Sequence, residues 1–266
     1  MKVAILQTPV SPDKGENLRV AALAVRRAAE AGAVLAVLPE MFCCPYDTAL
    51  FQAYAEDRGG EAYAALSLMA RKNRLTLVGG SLPERDGERL YNTAFVFAPD
   101  GTEIARHRKA HLFDIAVTGG QQFQESAVFS PGAEATVFDC QGRRFGLGVC
   151  FDIRFPELSR RMVHLGAEAL VFPAAFNMTT GPLHWKLAFR SRAVDNQVYT
   201  LGAAPARDGT ASYVSYGNSL VCDPWGRVIA QAAEGPAVVF AELDFGEVAR
   251  VRRELPLLSS LRPELY

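Results

Sequence analysis

The apolar run Val3 to Leu6, set inside Lys2 to Gln7, is the pattern of a strand buried on both faces. Leu18, Ala21, Ala22, Val25, Ala28 and Ala29 follow at the three- and four-residue spacing of an amphipathic helix. Val34 to Leu38 is a second apolar run, so the chain opens β-α-β. The alternation continues with a helix around Glu61 to Lys72 and a strand Leu75 to Val78 that stops at Gly79-Gly80, where the backbone needs freedom. From Pro156 the pattern predicts a helix to about Leu165, a strand Ala169 to Pro173, a helix Trp185 to Val194 and a strand Val198 to Ala203.

Thr93 to Arg108 is two alternating runs joined by Pro99-Asp100-Gly101. Proline presets one turn dihedral and glycine accepts a positive one, so this segment is expected to be a hairpin. Gln141-Gly142 and Asp223-Pro224-Trp225-Gly226 punctuate the chain in the same way, placing antiparallel pairs among units that otherwise look parallel. Mixed sheets with interspersed helices predict an α/β fold: two packed sheets, each covered outside by helices, in a four-layer α-β-β-α sandwich. No linker, low-complexity stretch or fixed-period repeat divides the chain. Its 266 residues at 49% hydrophobic content suffice for one domain spanning 1–266.

The 28 basic and 29 acidic residues leave a net charge of -1, so no overall field gathers phosphate polyanions or anionic lipid. Neither nucleic acid nor a membrane is an expected partner. The apolar run after Lys2 is too short for a signal h-region or a membrane span, and a soluble cytoplasmic protein is expected. Cys43, Cys44, Cys140, Cys150 and Cys222 are odd in number and lack the paired spacing of a zinc knuckle or disulfide framework. Reduced thiols follow, most of them structural.

One thiol is set apart by its surroundings. Cys150 ends Phe145-Gly146-Leu147-Gly148-Val149 and precedes Phe151-Asp152-Ile153-Arg154-Phe155-Pro156-Glu157, with proline placed to open a helix. A strand, a sharp turn and a helix would project the thiol beside backbone N–H groups and a helix N-terminus, both of which favour the thiolate. Taken singly, however, Cys150 reads better as a small buried apolar residue. Glu40 ends Val34-Leu35-Ala36-Val37-Leu38-Pro39, at the carboxyl end of a strand, where sites of α/β sheets lie; alone, it fits a solvated side chain equally. Lys109 closes Arg106-His107-Arg108-Lys109, and such a basic run is by itself more often a solvated face. Together the three form one chemical set: a carboxylate to take a thiol proton, the thiol, and a cation for charge on an attacked carbonyl oxygen. Spacing does not show that they converge.

These residues stand in Leu38-Pro39-Glu40-Met41, Arg108-Lys109-Ala110-His111-Leu112 and Gly148-Val149-Cys150-Phe151-Asp152, which resemble the Glu-Lys-Cys motifs of the nitrilase superfamily of carbon–nitrogen hydrolases in order and spacing. The similarity runs nearly end to end and is nearest the omega-amidase branch in His111-Leu112-Phe113-Asp114, Phe123-Gln124-Glu125-Ser126 and Phe176-Asn177-Met178-Thr179-Thr180-Gly181-Pro182. Ala193 to Tyr199, Pro205 to Asp208 and Asp223 to Gly226 are also similar to that branch. Phe151 departs from the tyrosine common after the nucleophile; only a hydroxyl is lost, and the backbone N–H remains.

The resemblance implies a four-layer subunit that pairs into a homodimer or higher homo-oligomer, with the C-terminal extension 245–266 reaching over a partner. It implies Glu40 as base, Cys150 as nucleophile, Lys109 and the Phe151 N–H at the oxyanion, and Glu125 as a second glutamate orienting the lysine or the substrate amide. A surface carboxylate is the competing reading of Glu125. No metal or organic cofactor is implied. The implied reaction releases ammonia from the terminal amide of small 2-oxo dicarboxylate monoamides, 2-oxoglutaramate or 2-oxosuccinamate, through a thioester.

A carboxylate on the substrate calls for a cation, and Arg154, four residues after Cys150, is the first choice; a helix-start salt bridge is the competing reading. Tyr46, Asn177 and Thr179 are further candidates for the pocket, each balanced against core or turn duty. Alternative substrates within the superfamily are N-carbamoyl amino acids, deaminated glutathione, and aliphatic amides or nitriles. Two readings lie outside it. His107 and His111 could serve a metal-dependent amidohydrolase, although the glutamate of a zinc-helix motif is absent. A non-enzymatic carboxylate-binding protein could share the fold, although a binder needs no nucleophile.

Overall fold

A computed structural model describes residues 1–265. In its first sheet the strands run Ala237–Glu242, Lys2–Gln7, Leu35–Val37, Thr76–Val78, Arg89–Phe97, Leu82–Asp86, Glu56–Asp57, with Glu103–Arg108 also paired to Arg89–Phe97. The second runs Thr136–Cys140, Arg143–Leu147, Ala169–Pro173, Tyr199–Ala203, Leu220–Cys222, Val228–Gln231. Lys2–Gln7, Leu35–Val37 and Thr76–Val78 are mutually parallel, as are Arg143–Leu147, Ala169–Pro173 and Tyr199–Ala203. The three predicted turns close antiparallel hairpins around them.

Strand alternation decides the layering. Val3 and Ile5 pack with Leu35, Val37 and Val78 against the second sheet, whereas Ala4 and Leu6 face the helices Lys14–Glu30 and Glu61–Asn73 through Leu18, Ala21, Leu66 and Ala70. Beyond the second sheet lie Met162 of the helix Pro156–His164 and Trp185, Phe189 and Ala193 of the helix Gly181–Asn196. The fold is thus α/β, a four-layer sandwich of two mixed sheets between helices.

Local chemistry sets the element ends. The Asp13 side chain accepts from Glu16 N and caps the first helix, and Pro182 presets the entry to Gly181–Asn196, which ends at Gln197 in a left-handed conformation at φ 52°. Several elements were not anticipated from the pattern: the helices Thr48–Tyr54 and Phe245–Glu254, the strands Glu56–Asp57, Leu82–Asp86 and Ala237–Glu242, and the small hairpin of Asp114–Ala116 with Gln122–Gln124. The hairpin is largely exposed and so lacks a periodic apolar signal. Within 245–266, Phe245, Val248 and Val251 are buried, whereas Leu255, Leu257 and Leu265 are exposed. Tyr266 lies outside the described residues.

Candidate active site

Three segments that follow strands meet over one end of the sandwich, two of them at the carboxyl ends of parallel strands, where α/β sheets place their sites. Glu40 follows the strand Leu35–Val37 on a loop that turns at Met41, φ 50°. The Pro39 carbonyl lies so close to Gly80, φ 62°, that a Cβ there would sit 2.1 Å from its oxygen. Ser81 N donates to Pro39 O at 3.3 Å, and the Ser81 hydroxyl accepts from Met41 N at 3.2 Å. Gly79-Gly80 therefore does more than stop a strand: it lets the next segment grip the Glu40 loop.

The basic run around Lys109 divides by strand alternation. Arg106 and Arg108 pair with Glu84 at 2.9 Å each, while His107 and Lys109 turn the other way and are buried. The solvated-face reading of the run in isolation does not apply to Lys109, because alternation places it inward. Its Nζ stands 2.9 Å from Glu40 Oε1 and 2.8 Å from Glu125 Oε2, and all three side chains are fully buried. Glu125, in a short turn Glu125–Ala127, also accepts from Phe113 N at 2.7 Å, which replaces the reading of a surface carboxylate. Asn92 Nδ2 donates to Glu40 Oε1 at 2.8 Å and Glu125 Oε1 at 2.9 Å; the Tyr46 hydroxyl donates to Glu40 Oε1 at 3.2 Å.

Cys150 leaves the strand Arg143–Leu147 through Gly148, where a Cβ would come 2.6 Å from the Phe172 ring. Its φ of 45° is left-handed, unusual for a residue other than glycine, and a single 3-10 turn Cys150–Arg154 intervenes before the α-helix opened by Pro156. The Cys150 Sγ accepts from Ala175 N at 3.5 Å. Glu40 Oε2 takes no hydrogen bond from the lysine, amide or tyrosine that hold Oε1, and the Cys150 thiol is the ionisable donor beside Glu40. Two residues on, the buried Asp152 carboxylate accepts from Val149 N at 2.9 Å and meets His107 Nε2 at 2.9 Å and His111 Nδ1 at 2.8 Å. The two histidines offered by the sequence as metal ligands thus converge on one carboxylate.

Burial opposes the Lys109 ammonium, but the charges of Glu125 and Glu40 outweigh it and hold its pKa above the ordinary lysine value. Burial raises Glu40, helped by Glu125 and opposed by Lys109. Burial and the Glu40 charge push the Cys150 thiol well up. Burial thus favours the protonated forms of Cys150 and Glu40, while the two glutamates favour the charged form of the lysine between them.

The predicted pocket residues divide. Tyr46 lines a cavity on Glu40 together with Met41, Cys44, Ala175, Tyr213 and Ser215. Arg154 is partly buried, with its guanidinium 4.6 Å from the Phe176 ring centre and 5.7 Å from that of Phe151, and it contacts His184 Nδ1 at 3.1 Å. No carboxylate reaches it within ion-pair distance among the described residues, so the helix-start salt bridge is absent, and Cys150 lies near enough to influence its charge. Asn177 and Thr179 do not line the cavity. The Asn177 Oδ1 accepts from Thr180 N at 3.0 Å, and the Thr179 hydroxyl accepts from Gln121 N at 3.1 Å, tying down the small hairpin. Asn92 and Tyr213, whose rings and amides complete the cluster, were not found from sequence; the amide between Tyr91 and Thr93 in an apolar strand was the available signal for Asn92.

A carbon-nitrogen hydrolase family model matches residues 2–253. An omega-amidase NIT2 of Danio rerio is 49% identical over 265 residues, covering 100% of this chain and 96% of that protein; the Homo sapiens omega-amidase NIT2 is 46% identical with the same coverage. The crystal structure of Saccharomyces cerevisiae Nit3, a member of branch 10 of the nitrilase superfamily, superposes with a TM-score of 0.89 at 42% identity, covering 97% of this chain and 94% of that one. Matched along almost all its length by that model and by full-length amidases, the chain belongs to the carbon–nitrogen hydrolase family and is a cysteine-dependent amidase.

Proposed function

We propose that the enzyme releases ammonia from the terminal amide of small 2-oxo dicarboxylate monoamides such as 2-oxoglutaramate and 2-oxosuccinamate. Glu40 takes the Cys150 proton and the sulfur attacks the amide carbon. Lys109 and the Phe151 N–H, in the first turn of a helix where backbone donors lack acceptors, hold the developing oxyanion. Collapse breaks the carbon–nitrogen bond, the nitrogen leaves as ammonia with the proton held by Glu40, and a thioester remains. Glu40 then activates water, which hydrolyses the thioester and restores the thiol. Glu125 and Asn92 hold Lys109 and Glu40 in register throughout, and Tyr46 walls the pocket. Asn177 and Thr179 act on substrate only through the loops they brace.

The observation that carries the substrate reading is Arg154: a half-buried guanidinium near Cys150, packed on Phe151 and Phe176 and lacking an acidic partner among the described residues. A substrate carboxylate would supply that partner. Similarity to proteins named omega-amidase supports the same reading. The test is ammonia release by wild type, Cys150→Ala and Arg154→Gln from 2-oxoglutaramate and from a neutral aliphatic amide. We expect no turnover in Cys150→Ala. In Arg154→Gln we expect kcat/KM to fall on the order of a hundredfold for the anionic amide only, the scale of a lost charge-assisted hydrogen bond. A wild-type preference for the neutral amide would overturn the substrate reading and leave the thiol chemistry standing. We expect a chelator to leave turnover unchanged.

The chain forms a homo-oligomer through the outer face of Gly181–Asn196 in this reading, because Leu183 and Leu187, one turn apart, are 75% and 61% exposed there. The exposed leucines of 255–265 are suited to reach across a partner from the single domain 1–266. Five free thiols among the described residues favour a reducing, cytoplasmic location.

A further inference from the structure

Lys109 and Cys150 come from different sheets: the lysine follows the strand Glu103–Arg108 of the first, the cysteine the strand Arg143–Leu147 of the second. Their separation therefore depends on whatever ties those two ends together. One side chain does so. Asp152 Oδ2 accepts from Val149 N at 2.9 Å and meets His107 Nε2 at 2.9 Å, while Oδ1 accepts from His111 N at 2.9 Å and meets His111 Nδ1 at 2.8 Å. The donors stand immediately before Cys150 and two residues to either side of Lys109.

We propose that Asp152, with His107 and His111 as its donors, is the positioning residue that fixes the Cys150 thiol relative to the Lys109 ammonium.

The surroundings show a clamp held from behind. His107 Nδ1 meets the Thr136 hydroxyl at 3.0 Å, and the His111 ring stacks on Phe155 at 3.6 Å and 9° between planes. Both imidazoles are thus oriented before they reach the carboxylate. Burial works against the Asp152 charge, but hydrogen bonds from His107 and His111 outweigh it and keep the carboxyl well below the usual range, so it remains an acceptor on both oxygens. The left-handed Cys150, φ 45°, needs such a restraint, and the Val149 N bond supplies it next to the strained residue. A buried acid serving stability alone would not need every donor to flank Lys109 or Cys150.

This inference rests on Cys150 being the nucleophile, and its test reads Cys150 without substrate. His111 is partly exposed, which makes it the tractable position. His111→Phe preserves the stack on Phe155 and removes the side-chain donor; His111→Asn places an amide N–H where Nδ1 stood. Measured together are alkylation of Cys150 by iodoacetamide, followed by peptide mapping, the kcat and KM of amide hydrolysis, and the melting temperature. We expect His111→Phe to slow alkylation and lower kcat about tenfold with KM within about twofold, and His111→Asn to restore most of both. Asp152→Asn, which sets a donor against two imidazoles, exceeds the His111→Phe effect. Equal alkylation rates in the two His111 variants, or rates that follow the melting temperature instead of the donor, overturn the proposal. Turnover surviving in Cys150→Ala would instead remove the nucleophile reading on which it rests.

Discussion

In the proposed mechanism the Cys150 proton passes to Glu40, and both side chains are buried, so their balance would govern the reaction. The base form of Glu40 is required to accept the thiol proton, and burial raises its pKa. Activity should accordingly fall as pH drops through a value above the ordinary glutamate range, visible as the acid limb of kcat/KM. Asn92 donates to both Glu40 and Glu125, and a hydrogen bond donated to a carboxylate favours the charged form of Glu40. In Asn92→Ala that limb should move further up in pH; an unmoved limb would show that the amide only fills space. Glu125→Gln removes one of the two ion pairs that hold Lys109 and should lower kcat on the order of a hundredfold while leaving the fold intact by circular dichroism.

The elements that deliver these side chains hold an unusual backbone conformation in two places. Gly80 combines φ 62° with the Pro39 carbonyl 2.1 Å from a would-be Cβ. Gly80→Ala should destabilise by about 2 kcal/mol or more and displace the Glu40 loop, seen as a lower melting temperature together with lost turnover. Cys150 sits at φ 45°, a conformation that costs an L-residue about 1–2 kcal/mol and glycine almost nothing. Cys150→Gly should therefore melt no lower than Cys150→Ala, although glycine normally loses about 0.5–1 kcal/mol to alanine through chain entropy. The reverse order would mean that the turn is relaxed. The runs on either side of Cys150 and before Glu40 were legible because β periodicity and the Pro156 helix start are local signals. The sharp bend itself was expected, but not its left-handed cysteine, which long-range bonds to Asp152 hold in place.

For the whole molecule, the exposed Leu183 and Leu187 test the proposed assembly. Leu183→Asp with Leu187→Asp should reduce the mass seen by light scattering to that of a monomer without unfolding it, because neither side chain belongs to the core. An unchanged mass would move the contact elsewhere or exclude it. The amino-acid order by itself determined the two-sheet, helix-covered architecture, since strand alternation, helical spacing and turn residues act over a few positions. It also singled out Glu40, Lys109 and Cys150 as a compatible set. Tertiary structure alone decided that they lie together with Glu125, that Asn92 bridges the two glutamates, and that Asp152 joins His107 to His111. It likewise left Arg154 without an acidic partner among the described residues and set Asn177 and Thr179 outside the lining of the Tyr46 cavity. The physical reason is that a charge can stay buried only where partners from distant segments arrive with it, and their arrival depends on how two sheets and their loops pack.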